Sequence, residues 1–185
     1  MILPVYAYGH SVLKKMAAPI EASYPELDLL IENMWETMYY AKGIGLAAPQ
    51  IGRSIRLFLV DTAQIKDAEE PGIKKVFINP EIISEDGDDW AYEEGCLSIP
   101  RLNGDVERPE HVTIRYQDEN WDEHEETYSG MNARVIQHEY DHIDGILFIE
   151  KLKPLKRRLL TRKLDAIKKG RIETDYKMKF APKPK

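Results

Sequence analysis

The chain has 185 residues, a formal net charge of −6 at pH 7, 43% hydrophobic and 31% charged residues, and a single cysteine, Cys96. This length and composition suit one folded globular domain and exclude a disordered or membrane protein. No stretch approaches 18 apolar residues, and residues 1–10 lack the segments of a secretory signal. We therefore expect a cytoplasmic protein with no membrane partner.

The first predicted helix follows Ser23, where Glu26 three residues on completes a capping box, and it ends before Gly43. Two strand-like runs follow at residues 55–60 and 75–79, the second closed by Pro80. The apolar residues of the helix recur at helical spacing and are Leu27, Leu30, Ile31, Met34, Trp35 and Met38.

The second half begins with a predicted hairpin, in which strands at residues 112–117 and 121–128 flank a loop at 118–120. A second helix is predicted at residues 131–143 before Gly145, and a third at about 155–169 before Gly170. Strands flanked by helices, without regular alternation of strand and helix, indicate an α+β fold built on antiparallel sheets. The second helix is expected at its centre, between an N-terminal and a C-terminal helix.

Residues 137–142 read Gln-His-Glu-Tyr-Asp-His, so His138 and His142 share one helix face and can reach one metal ion. Glu139 lies beside the first ligand, where its carboxylate can accept a proton from water activated by the metal. The alternative is a pair of surface histidines on an exposed turn. An amphipathic helix packed on the core is favoured by Val135, Ile136, Tyr140 and Ile143.

A catalytic metal normally has three protein ligands, so a third must be found. The metzincin pattern requires a histidine at position 148, where this chain has Phe148. The thermolysin pattern requires a glutamate about twenty residues downstream, and the nearest acid, Asp165, lies in a basic helix. A thiolate is stabilised beside a divalent cation, which gives the lone Cys96 a role as the third ligand.

Residues 43–50 read Gly-Ile-Gly-Leu-Ala-Ala-Pro-Gln and link the first helix to the strand at 55–60. Small residues permit close backbone approach, and Gln50 carries an amide N–H that can bind a ligand. Taken alone, such a segment is more often a turn or a helix cap, and it lacks the lysine of a phosphate loop.

Together, GIGLAAPQ at 43–50, EGCLS at 94–98 and QHEYDH at 137–142 resemble the three signature motifs of the peptide deformylases in sequence, order and separation. The resemblance implies a metal-dependent hydrolase that removes the formyl group from the formyl-methionine of newly synthesised polypeptides and releases formate. It implies Glu139 as the acid/base group and Gln50, with the backbone N–H of Leu97, as oxyanion stabilisers. The metal ligands it implies are Cys96, His138 and His142.

The resemblance also implies the substrate-binding residues, which are Gly43, Ile44, Gly45, Gly95, Met131, Arg134 and Val135. For Arg134, an exposed helix arginine is an equally good interpretation. If Arg134 lines the pocket, its aliphatic stem must form the wall while its guanidinium reaches solvent or an acid such as Glu94. The Cys-His-His set suits zinc, iron, cobalt or nickel, and the resemblance points to Fe(2+) as the physiological ion.

Two alternatives remain open on the sequence: a metallopeptidase that cuts internal peptide bonds, and a binding module with a structural metal. The second would leave Glu139 without a task and one metal position unfilled. We expect a single catalytic domain at residues 1–170 and a basic tail at residues 171–185.

Charge is unevenly distributed, because residues 151–185 hold 14 Lys and Arg against 3 acids, whereas residues 1–150 hold 12 against 29. The basic segment either is a solvated helix face or contacts ribosomal RNA near emerging nascent chains, and no DNA partner is expected.

Overall fold

The computed structural model describes residues 1–66 and 70–182. Within them, strands β2 to β6 form an antiparallel sheet in sequential order, and β1 pairs with β7 in a separate parallel sheet. This mixed architecture confirms the predicted α+β class. The elements in chain order are β1 (Val5–Tyr6), α1 (Leu27–Tyr40), β2 (Gly45–Ala47), β3 (Leu57–Asp61), β4 (Lys74–Cys96), β5 (Ile99–Gln117), β6 (Glu123–Ser129), α2 (Gly130–Ile143), α3 (Pro154–Lys168) and β7 (Met178–Lys179).

The predicted capping box at Ser23 is wrong, because α1 begins at Leu27. Pro25 disfavours a helical conformation at Tyr24, and Glu26 adopts a left-handed φ of 53°, so the helix starts only after these residues. Among the described residues, the Glu26 side chain makes no capping hydrogen bond. The apolar spacing nevertheless locates the buried face, which includes Leu27, Ile31, Met34 and Met38.

The prediction that Pro80 closes the second strand is also wrong, since β4 continues through Pro80 to Cys96. The pairing of β4 with β5 shifts register between Ile78 and Glu81. Pro80 lies within this shift, so the sheet does not require a hydrogen bond from it, and proline has no backbone N–H to donate. Asn79 supports this bulge with a φ of 49° and with side-chain hydrogen bonds to both backbone groups of Ile20.

The predicted hairpin is confirmed, with β5 and β6 paired from His111 opposite Ser129 to Gln117 opposite Glu123. Strand β5 begins much earlier than predicted, at Ile99, because its first part pairs with the extended β4. The two long strands thus carry the cysteine segment from the sheet towards the centre of the fold.

Helix α2 lies at the centre because β3 packs helices on both of its faces. Leu57 and Leu59 belong to the apolar cluster of α1, whereas Phe58 and Val60 belong to that of α2, as expected for side chains that alternate along a strand. Ten of the fourteen residues of α2 are buried, so any functional group on this helix must act inside the protein.

Helix α3 buries Leu160, Leu164 and Ile167 against the body but leaves Leu155 and Leu159 exposed. After Gly170 the chain turns back, and β7 pairs with β1 at the other end of the sequence. The division between a domain at 1–170 and a tail at 171–185 stays a prediction, and residues 183–185 lie outside the described part of the chain. In residues 1–66 and 70–182, no helix is long and apolar enough to cross a membrane.

Candidate active site

Helix α2 and the end of β4 bring three metal-binding side chains together. The ligand atoms of Cys96, His138 and His142 all lie within 4.8 Å of one another, and Cys96 Sγ is 3.3 Å from His142 Nε2. Both imidazoles are buried, so the alternative of two surface histidines is wrong. A thiolate and two imidazoles fit a divalent transition metal and leave a further coordination position for a reacting molecule.

Gln50 is buried next to this group, in the short helical turn Ala48–Ile51 that follows β2. Its Oε1 accepts a hydrogen bond from the backbone N–H of Ala47 at 2.8 Å, which orients the amide so that Nε2 faces the cysteine. Nε2 lies 3.4 Å from Cys96 Sγ and 3.3 Å from Ser98 Oγ. The glycine-rich segment therefore ends in a fixed amide donor at the metal site.

Glu94 is a buried carboxylate that holds the first histidine. His138 donates from Nδ1 to Glu94 Oε2 at 2.8 Å, which leaves Nε2 free for a metal. Arg108 donates to both Glu94 oxygens, and Arg134 donates to Oε1 at 2.9 Å. Burial alone raises the pKa of Glu94, but hydrogen bonds from His138 and Arg108 outweigh burial and hold this pKa well below its usual range. The carboxylate is therefore charged near neutral pH.

Glu139 is 4% exposed, and its side chain packs against Gly45 of β2. A Cβ at Gly45 would lie 2.8 Å from Cγ of Glu139, so only glycine fits there without displacing the carboxylate. Among the described residues, Glu139 Oε2 has no hydrogen-bond partner. Burial raises the pKa of Glu139 to about 7, a value suited to accepting and returning a proton near neutral pH.

A cavity of about 410 Å³ opens beside these groups. Its lining contains every residue for which the sequence predicted a site role, except His142, which contacts the lining residue Cys96. Arg134 is 2% exposed, and its guanidinium reaches Glu94 and the carbonyls of Val106 and Trp90, so the exposed-arginine interpretation is wrong. The lining residues named from the sequence are Gly43, Ile44, Gly45, Gln50, Gly95, Cys96, Leu97, Met131, Arg134, Val135, His138 and Glu139.

The sequence analysis missed two groups of site contacts. It named Glu94 only as a possible partner of Arg134, which is confirmed, and missed that Glu94 also binds His138 and Arg108. The position of Glu94 two residues before Cys96 was an available signal. Residues 174–176 also line the cavity, although they follow α3 in a segment that was assigned to the tail. No local pattern pointed to this second contact.

The class of protein follows from these features, because metal-dependent hydrolases combine such ligands with a buried carboxylate and an open cavity. Here the ligands are two histidines on a central helix and a cysteine on an adjoining strand.

The polypeptide deformylase family model matches residues 2–158. A peptide deformylase from Christiangramia forsetii is 56% identical over 97% of this chain and 96% of its own, and one from Cytophaga hutchinsonii is 51% identical over 97% and 98%. The crystal structure of a peptide deformylase from Legionella pneumophila superposes with a TM-score of 0.81 at 40% identity, covering 92% of this chain and 98% of its own.

The chain belongs to the polypeptide deformylase family. It is a metal-dependent enzyme that removes the N-formyl group from the formyl-methionine of newly synthesised polypeptides and releases formate.

Proposed function

We propose that Glu139 is the acid/base group of the deformylation and that Cys96, His138 and His142 hold the metal. When bound, a divalent cation supplies Lewis acidity, which polarises the formyl carbonyl and makes water acidic enough to lose a proton near neutral pH. Glu139 accepts the proton of the attacking water and later returns it to the departing amine. The observation that carries this proposal is Oε2 of Glu139, which is buried beside the three clustered ligand atoms and has no hydrogen-bond partner within residues 1–66 and 70–182.

The negative charge that develops on the formyl oxygen is stabilised in this proposal by Gln50 Nε2 and the backbone N–H of Leu97. Donors of this kind each contribute about 3 to 4 kcal/mol to transition-state stabilisation. Gln50 suits the role because Ala47 fixes its amide, so little reorganisation is needed during the reaction.

The peptide lies extended along residues 43–45 and makes main-chain hydrogen bonds that are indifferent to its sequence. The methionine side chain packs against the apolar wall formed by Ile44, Met131 and Val135, with the aliphatic stem of Arg134 beside it. Gly45 and Gly95 line the same cavity and contribute backbone groups to the binding of the substrate. A formyl carbon carries only hydrogen, so a site crowded by Glu139 and Leu97 admits it and excludes larger acyl groups.

We propose Fe(2+) as the physiological metal, with zinc, nickel or cobalt able to occupy the same ligands. One thiolate and two imidazoles bind all four ions, so the choice depends on the supply of metal and on oxidation of iron and thiolate.

The test is formate release from formyl-Met-Ala by enzyme loaded anaerobically with iron. Acetyl-Met-Ala and unblocked peptides serve as matched substrates, and neither should be hydrolysed. Cleavage of internal peptide bonds in unblocked peptides would instead support a metallopeptidase.

We also propose that the enzyme works in the cytoplasm and docks on ribosomal RNA through α3. The exposed face of this helix carries Lys156, Arg158 and Arg162, and Leu155 and Leu159 are 72% and 71% exposed beside them. Basic side chains bind phosphates, and the two leucines provide an apolar contact for a ribosomal protein. Docking near the site where nascent chains emerge would raise the local concentration of enzyme around its substrate.

A further inference from the structure

The turn between β4 and β5 carries two groups of the proposed catalytic machinery. Cys96 ends β4 and Ile99, its pairing partner, begins β5, so Leu97 and Ser98 alone make the reversal. We call these two residues the 97–98 turn. A displacement of this turn would move the thiol of Cys96 and the backbone N–H of Leu97 together.

Both carbonyl groups of the 97–98 turn are hydrogen-bonded to distant parts of the chain. The hydroxyl of Tyr176 donates to the Leu97 carbonyl at 2.7 Å. The backbone N–H of Tyr8 donates to the Ser98 carbonyl at 2.8 Å. The turn is therefore fixed from outside by residues that follow β1 and precede β7.

These two donors are tied to each other by the small parallel sheet. The N–H of Val5 donates to the Lys177 carbonyl at 2.9 Å, and that of Ala7 donates to the Lys179 carbonyl at the same distance. The segment before β7 is braced by Thr174, whose hydroxyl donates to the Tyr176 carbonyl at 2.7 Å. Tyr176 is thus presented to the turn by a hydrogen-bonded framework.

Residues 174–176 also form one wall of the catalytic cavity, which the glycine-rich segment lines as well. The family model ends at residue 158, so this wall comes from a part of the chain that the model does not include. Tyr176 nevertheless reaches a backbone group of the cysteine motif, which the model does include.

We propose that Tyr176 is a positioning residue for deformylation, which holds the 97–98 turn through the Leu97 carbonyl so that the Leu97 N–H meets the oxyanion. The proposal rests on the oxyanion role proposed for Leu97. A displacement of a catalytic group by about 1 Å can cost about 10²-fold in rate. Two external hydrogen bonds hold the 97–98 turn against such a displacement, and Tyr176 supplies the one nearer to the Leu97 N–H. Tyr176 makes no contact with the reacting atoms in this scheme.

The test compares Tyr176→Phe with Tyr128→Phe in the full-length, metal-loaded enzyme. Both changes remove one hydroxyl, from the half-buried Tyr176 and from the buried Tyr128. The hydroxyl of Tyr128 donates to Glu126, and both of these residues lie on β6, away from the residues that line the cavity. For Tyr176→Phe we expect kcat to fall about tenfold with KM and metal content unchanged, since only transition-state stabilisation is weakened. Tyr128→Phe should leave kcat unchanged.

An amide NMR spectrum of the zinc-loaded enzyme gives a readout that does not depend on activity. The Leu97 carbonyl shares its peptide group with the Ser98 N–H, so loss of the Tyr176 hydrogen bond should shift the Ser98 amide signal. The same signal should be unchanged in Tyr128→Phe.

Three results would overturn the proposal: an unchanged kcat in Tyr176→Phe, equal losses in both variants, or loss of metal. The variant Gln50→Ala distinguishes a failure of the role proposed for Tyr176 from a failure of the oxyanion assignment itself. A large loss of kcat in Gln50→Ala with none in Tyr176→Phe would retain the oxyanion site and reject the role of Tyr176.

Discussion

His138 donates from Nδ1 to Glu94 at 2.8 Å, and the same carboxylate binds Arg108 and Arg134. Glu94→Gln keeps the shape of the side chain but removes the charge that orients the imidazole and balances two buried guanidinium groups. We expect metal affinity to fall about 10- to 100-fold and the free energy of unfolding to fall by about 3 to 5 kcal/mol. Metal titration and denaturant unfolding measure the two effects. Glu126→Gln, in a different hydrogen-bond network, should leave metal affinity unaltered.

Glu139→Gln should retain the metal and the fold but lose nearly all turnover, because an amide cannot accept the proton of the attacking water. Cys96→Ser is the matched comparison, since it should lose or greatly weaken metal binding along with activity. Metal content per chain and formate release distinguish the two variants. Substantial turnover by metal-loaded Glu139→Gln would remove Glu139 from the acid/base role.

Gly45→Ala should impair catalysis without removing a functional group. The new methyl would meet the side chain of Glu139, whose Cγ lies 2.8 Å from the position of the added Cβ. We expect kcat to fall about 10- to 100-fold as the carboxylate is displaced, with metal content unchanged because Gly45 contacts Glu139 rather than a ligand. An unchanged kcat would show that the carboxylate has room to move.

Stability at low pH should depend on Glu126. Burial raises the pKa of Glu126, but hydrogen bonds from Lys75, Tyr116 and Tyr128 outweigh burial and lower it from 4.5 to about 2. Because the folded-state pKa is depressed, this stabilisation is present above the unfolded value and is lost as pH falls towards 2. The difference in Tm between the wild-type protein and Glu126→Gln should therefore shrink as pH falls through this window. A difference that is constant with pH would contradict the assignment, and Glu123→Gln, exposed on the same strand, is the control.

Ribosome binding should decrease steeply with salt if α3 contacts phosphates. Reversal of three charges on α3 should abolish co-sedimentation with ribosomes, whereas the same number of reversals elsewhere should not. Equal co-sedimentation of both triple variants would reject docking through α3 and leave the deformylase function unaffected. The α3 variant carries Lys156→Glu, Arg158→Glu and Arg162→Glu, and its control carries Lys15→Glu, Arg53→Glu and Lys66→Glu.

The sequence predicted the fold class and the clustering of the three motifs because each motif is short and chemically constrained. A helix places residues four apart on one face, so the proximity of His138 and His142 follows from spacing alone. Cys96 was identified as the third ligand by the chemistry of a thiolate beside a divalent cation and by the resemblance, since nothing local relates it to a helix 42 residues further along.

The errors in the sequence analysis have local causes. The Ser23 and Glu26 pattern fits a capping box, but the conformational restriction from Pro25 prevails. Pro80 looks like the end of a strand because a bulge that absorbs a proline leaves no signature in one sequence. Tyr176 was missed because its partner, Leu97, is 79 residues away, and this contact depends entirely on how the chain returns after α3.

The pairing of β1 with β7 also sets an order of events during the enzyme's own synthesis. Val5 is made long before Met178, yet they are paired in the native sheet. Because translation proceeds from the N-terminus, β1 stays without its partner until β7 has been made and has left the ribosome. The wall at residues 174–176 is made just before β7, so a nascent copy of this deformylase acquires its full cavity only after α3 and β7 have followed the three motifs out of the ribosome.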